Sequence, residues 1–187
     1  MSFTVGRCRV RLDFAFFALA AAMLTASAAG GGNLLGLYAA IIHESGHIIA
    51  LLLQGGTPER IKADASGLHM TVPDSHRSAF VLAAGAAVNF AAFVISMPFS
   101  VRFAAANLLT GLMNLTPVRP LDGGELLLLF LIKKKSAEKA ASISNVISFA
   151  ASVPLLTAGL YILFISKWNI TLLIIALCLI LRIFSDL

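Results

Sequence analysis

Four side chains stand where apolar surroundings make them costly, and their types and spacing suit metal chemistry. His43-Glu44-Ser45-Gly46-His47 has the form H-E-x-x-H inside the apolar segment 34–53. Residues four apart share one face of a helix, so His43 and His47 can offer two imidazole nitrogens to one cation. Glu44 stands beside that face, within reach of a water activated by the cation, where a carboxylate can act as a general base. A catalytic zinc ion takes three protein ligands and keeps one position open. The third ligand must come from another apolar segment, and Asp122 and Glu125 are the two acidic residues placed to supply it.

The surroundings favour Asp122. It lies in Asn114-Leu115-Thr116-Pro117-Val118-Arg119-Pro120-Leu121-Asp122-Gly123-Gly124. Pro117 and Pro120 lack backbone donors and break a helix, while Gly123 and Gly124 admit conformations closed to other residues. Broken backbone at membrane depth is tolerated where it is buried in protein or lines a wet cavity. The expectation is a water-accessible pocket that holds Asp122. Asn114 is placed to bond carbonyls that the prolines leave unpaired, and is a candidate contact to substrate or oxyanion.

The elements that position these groups follow from composition. Of 187 residues, 59% are hydrophobic and only 12% charged, and mean hydropathy is +0.92. A soluble domain carries about 25% charged residues, so this chain cannot coat a globule of its size. A disordered chain would need the opposite balance. With only Cys8 and Cys178, a disulfide scaffold is excluded as well. An integral membrane protein remains.

Apolar runs of about 20 residues mark spans. They read as Phe14 to about Ala29, Leu34 to Leu53, Ala79 to about Ser100, an interrupted region from Phe103 to Ile132, Ser142 to Ile165, and Ile170 to Phe184. Arg7, Arg9 and Arg11, then Arg60, Lys62 and Arg77, then four lysines from Lys133 to Lys139, and finally Arg182, all fall on one side of a six-span arrangement. By the positive-inside rule that side is cytosolic, with both termini there. The basic balance is thus a topology signal, and no separate basic domain exists for nucleic acid. Ala26-Ser27-Ala28 also fits a signal-peptide cleavage pattern, which would remove the first apolar segment. Trp168 stands as an interfacial anchor before the sixth span. Between spans two and three, Ile61, Ala63 and Ala65, then Leu68, Met70 and Val72, alternate on either side of Ser66-Gly67, a hairpin signal. His69 and His76 in that connection read as surface histidines. The fold class expected is therefore an all-α membrane protein of about six transmembrane helices with a small β-hairpin after span two.

H-E-x-x-H in span two, followed by N-x-x-P-x-x-x-x-D-G at Asn114, Pro117, Asp122 and Gly123, resembles the site-2 protease family of intramembrane zinc metalloproteases, the M50 peptidases. Gly85-Ala86-Ala87-Val88-Asn89 is similar to the family's G-x-x-x-N element, with Ala86 where the family usually has proline. The hairpin is like that of the sporulation pro-sigma-factor processing group, a resemblance that implies an element beside the active site for pairing with an extended substrate. The resemblance covers about residues 34–132, the catalytic core of a single membrane domain 1–187. It implies Zn²⁺ held by His43, His47 and Asp122, Glu44 as general base, and Asn89 as a candidate donor to substrate or oxyanion. The alternative role for Asn89 is a helix-packing hydrogen bond beside Gly85. The expected activity is cleavage of membrane-embedded or membrane-tethered proteins near the cytosolic face of a bacterial cytoplasmic membrane. No stretch has the size of a PDZ or CBS domain, so control would come from separate membrane partners. The rival reading is an intramembrane metal-binding transporter, which explains the ligands but gives no reason for Glu44 and would often show inverted repeats.

Overall fold

The computed structural model describes residues 2–5, 8–14, 34–64, 67–71 and 78–165, together with residues 173, 176, 177 and 180. The first expected span beyond Phe14, the Ala26-Ser27-Ala28 pattern, His76, Trp168, Cys178 and all but single positions of the sixth expected span lie outside these residues. The chain divides into two compact units, Met1–Leu112 and Met113–Leu187.

The first unit contains strands β1 (Ser2–Val5) and β2 (Cys8–Leu12), helix α1 (Leu34–Leu53), strands β3 (Arg60–Asp64) and β4 (Gly67–Thr71), helix α2 (Ala79–Ser96) and most of helix α3 (Val101–Asn114). The expected hairpin is there, with β3 antiparallel to β4. It is half of a larger sheet in the order β1-β2-β3-β4, with β2 parallel to β3. Residues 2–12, which entered the sequence reading through the charges of Arg7, Arg9 and Arg11, supply the other two strands. Charge drew attention away from a period of two: by register, Phe3, Val10, Ile61 and Met70 share one face, and Thr4, Arg9 and Arg60 the other. Met70 packs on the cluster of Ala50, Leu51 and Val81, which ties the apolar face to the ends of α1 and α2. Asp13 bridges the basic face, 2.9 Å from Arg11 Nε and 3.8 Å from Lys62 Nζ.

Helix α1 ends in a Schellman turn. Gly55 takes φ +73°, and Gly56 N–H and Gly55 N–H donate to the carbonyls of Leu51 and Leu52 at 3.0 and 2.9 Å. Ser78 caps α2 by accepting from Val81 N–H at 3.3 Å. The helices approach closely because small residues line their shared faces. A Cβ on Gly46 would lie 2.7 Å from the Ala84 carbonyl oxygen, and one on Gly111 would lie 3.0 Å from Phe90 Cε1.

The second unit contains the end of α3, helix α4 (Asp122–Ile132) and helix α5 (Ala137–Ile165). The interrupted fourth region is thus two short helices, of 14 and 11 residues, joined by an irregular segment around a cis Arg119–Pro120 bond. Fully buried Val118 anchors that segment against Met113, Leu121, Ala151 and Leu155. Arg119 N–H donates to Ser148 Oγ at 3.1 Å, so α5 satisfies backbone that the prolines leave outside any helix.

Helices α1, α2 and α5 are long and apolar enough to cross a bilayer. Their outward residues, such as Ile41, Ile49, Phe80, Val94, Val146 and Tyr161, are exposed apolar side chains suited to lipid. These are the helices of an integral membrane protein, with three candidate spans among the described residues.

Candidate metal centre

Helix α1 turns Ala39, His43, Gly46, His47 and Ala50 to its buried side, a spacing of three and four residues. Opposite them α2 presents Val81, Gly85 and Asn89, one residue per turn. Gly85 makes room for the rings. A Cβ there would lie 2.5 Å from His47 Nε2 and 2.7 Å from His43 Cε1, so glycine is required by close approach rather than by backbone conformation.

Each imidazole is held by its Nδ1. His47 Nδ1 lies 2.7 Å from the Val81 carbonyl oxygen. That oxygen can only accept, so Nδ1 carries the hydrogen and donates it. His43 Nδ1 lies 2.7 Å from Asn89 Oδ1. Asn89 Nδ2 donates at 3.0 Å to the Ala39 carbonyl and at 3.0 Å to Asn107 Oδ1, which turns its oxygen toward His43. His43 Nδ1 is therefore also a donor.

With a hydrogen on Nδ1, neutral rings would carry their lone pairs on the Nε2 atoms. They lie 3.1 Å apart, with the rings nearly perpendicular at 85°. Two lone pairs at that distance repel unless a cation lies between them. Ligand nitrogens bound about 2.0–2.1 Å from a tetrahedral zinc ion are separated by roughly 3.3 Å. The pair thus fits a metal in identity, tautomer and spacing. Both rings are nearly buried, at 4% and 6% exposure. Neighbouring Glu44 is half-buried on the same helix.

In the second unit, Asp122 is the first residue of α4. It follows Leu121, whose extended backbone (φ −67°, ψ 159°) begins the helix. A carboxylate in the first turn is stabilised by the helix dipole. Gly123 and Gly124 let α4 start directly against the irregular segment. A Cβ on Gly123 would overlap the backbone of Leu115 and Thr116, and one on Gly124 the backbone of Val118 and Arg119. Glu125, the other acidic candidate, accepts from Arg119 Nε at 3.1 Å, and both groups are largely shielded from solvent. Asn114 is the half-buried last residue of α3. By donor type, His43, His47 and Asp122 are a set that could bind a metal ion.

Asn107 escaped the sequence reading. It is fully buried on α3, accepts from Asn89 and donates through Nδ2 to the Phe103 carbonyl at 3.0 Å. The signal was available: a lone asparagine in an apolar helix is costly unless it is hydrogen-bonded. The Val81 carbonyl that holds His47 could not have been found from residue types.

Comparison with known proteins follows the same lines. Residues 96–155 match the model for peptidase family M50. Among curated proteins, none matches the chain in sequence. Among solved structures, the chain is similar to the "Site-2 Protease from Methanocaldococcus jannaschii", with a TM-score of 0.71 and 20% identity over 99% of this chain and 94% of that one. At that identity the likeness establishes a shared fold. The chain thus resembles peptidase family M50 over residues 96–155 and shares its fold with a site-2 protease.

Proposed function

We propose that the chain is an intramembrane zinc metalloendopeptidase, which hydrolyses peptide bonds of membrane-embedded or membrane-tethered proteins near the cytosolic face. The observation that carries this reading is the approach of the two Nε2 atoms to 3.1 Å, with each ring held from behind at Nδ1 by an acceptor. A structural histidine pair has no need of that tautomer in both rings. A metal site does, because the metal must replace no hydrogen on the nitrogen it binds.

His43 and His47 from α1, with Asp122, are the residues that would hold the metal. Zinc held there would supply a Lewis acid to acidify water and polarise the scissile carbonyl. Glu44 takes the proton of the attacking water and returns it to the nitrogen of the leaving amine. Its place next to His43 in the sequence keeps this carboxylate beside the ligands on the same helix. Asn89 acts by holding His43, since its oxygen and its Nδ2 are all committed. His43 lies ten residues before the end of α1 at Leu53, so at 1.5 Å per residue it is roughly 15 Å along the helix from that end. A substrate helix hides its peptide bonds in its own hydrogen bonds, so the scissile segment must unwind to react.

The remaining parts of the proposal are a bacterial cytoplasmic membrane, cytosolic termini, and separate membrane proteins that present or withhold substrate. They rest on the distribution of charge in the sequence and on resemblance, as does placement with the sporulation pro-sigma-factor processing group. The experiment is cleavage of a membrane-tethered substrate by purified wild type and by Glu44→Gln, read as product mass. Wild type should cut and Glu44→Gln should not, with equal zinc content in the two. Zinc flux into liposomes without proteolysis would instead support transport.

A further inference from the structure

We infer that Asn107, through Asn89, sets the hydrogen-bond polarity that makes His43 a metal ligand. It is a positioning residue on a helix that carries none of the proposed ligands. The inference rests on the metal reading above.

The argument is one of donors and acceptors. Backbone carbonyls only accept, and two of them bias the network. The Phe103 carbonyl accepts from Asn107 Nδ2 at 3.0 Å, which points Asn107 Oδ1 toward α2. Asn107 Oδ1 and the Ala39 carbonyl then each accept one hydrogen of Asn89 Nδ2, both at 3.0 Å. With both amide hydrogens placed, Asn89 can offer only its oxygen to His43, 2.7 Å away. His43 must donate from Nδ1 and keep its lone pair on Nε2, the atom that faces His47. The Phe103 carbonyl, acting through Asn107, and the Ala39 carbonyl thus hold the Asn89 amide together.

Without Asn107, the Ala39 carbonyl alone still anchors Asn89, through a single hydrogen bond. The second amide hydrogen is left in a site where Asn89 is fully buried. An unsatisfied buried donor is costly, and with one acceptor in place of two the carboxamide is held less firmly with its oxygen toward His43. A rotated amide would present Nδ2 to His43, which then accepts at Nδ1 and carries its hydrogen on Nε2, where it blocks ligation. His47 is exempt, because the backbone carbonyl of Val81 fixes it. The two histidines therefore differ: one is set by α2 backbone, the other by a side-chain relay that begins on α3.

The test uses the full chain purified in detergent. Zinc affinity is read by chelator competition, and the ligand field is read from the visible spectrum after Co²⁺ substitution. Asn107→Leu should weaken zinc binding by about 10–100-fold, the usual effect of losing an outer partner of a metal-binding histidine, and should alter the Co²⁺ bands. Asn107→Asp is the rescue. Burial favours its neutral acid, which donates to Phe103 and accepts from Asn89, so its zinc affinity should stay within about threefold of wild type. A folded Asn107→Leu protein with wild-type zinc affinity and Co²⁺ spectrum overturns the inference while leaving the metal site intact. If Asn107→Leu does not fold, an Asn107→Asp protein that folds but binds zinc as weakly as Asn89→Ala overturns it too. A wild-type chain that binds no zinc or cobalt overturns the metal reading itself.

Discussion

Gly85 of α2 lies against the imidazole of His47, so close that a Cβ at position 85 would stand 2.5 Å from His47 Nε2. The same atom would be 2.7 Å from His43 Cε1. Gly85→Ala should therefore push the two rings off their Nδ1 acceptors, and zinc affinity should fall at least tenfold. Chelator competition on the purified variant checks this. A control at Gly36, where a Cβ meets nothing within 4 Å, should leave zinc binding unchanged.

Gly46 is a different case, because its close neighbours are the backbone of α2. A Cβ there would lie 2.7 Å from the Ala84 carbonyl oxygen and 3.0 Å from Gly85 Cα. Backbone cannot rotate away as a side chain can. Gly46→Ala should force α1 and α2 apart at a cost of about 1–3 kcal/mol. The check is thermal unfolding in detergent, with and without chelator. The loss should persist in the zinc-free protein, since it arises from packing.

The two acidic residues at the start of α4 should separate by metal content. Asp122→Ala should lose stoichiometric zinc, while Glu125→Gln should keep it, because Glu125 is engaged with Arg119. Removing Arg119 should cost about 1–2 kcal/mol, less than for a fully buried pair, because Arg119 and Glu125 remain 24% and 15% exposed. Metal analysis and unfolding of the three variants check both statements.

Zinc removal should lower stability by mass action. At free zinc of 100 times its dissociation constant, binding contributes about 2.7 kcal/mol. The melting temperature of wild type should fall on chelation and recover with added zinc, while that of Asp122→Ala should change little.

What was legible in the sequence was whatever shows as residue type at a fixed period. The apolar run 34–53 coincides with α1, and α2 begins at Ala79 as expected. Pro117, Pro120 and the Gly123-Gly124 pair mark the break before α4, because each has a local backbone consequence. The histidine motif of the candidate metal centre was visible for the same reason: four-residue spacing puts His43 and His47 on one face. Two things were hidden. Arg9 and Arg11 read as topology charges, yet they alternate with Val10 and Leu12 in a strand whose partner β3 is some fifty residues away, and pairing that remote leaves no local trace. The second is the support behind the ligands. The Val81 carbonyl exists at every position, and Asn107 gains its meaning only from the packing of α3 on α2. Residue types name the groups that react; the acceptors that hold them are set by tertiary structure.

In the proposed mechanism a metal held by His43, His47 and Asp122 works with Glu44 as general base. The most direct measurement is the cleavage rate of a membrane-tethered substrate by zinc-loaded wild type and zinc-loaded Glu44→Gln, with metal content determined on the same samples. The account predicts equal zinc and a rate in Glu44→Gln reduced at least 10²-fold, the lower end for loss of a general base. Equal zinc with an undiminished rate would contradict it.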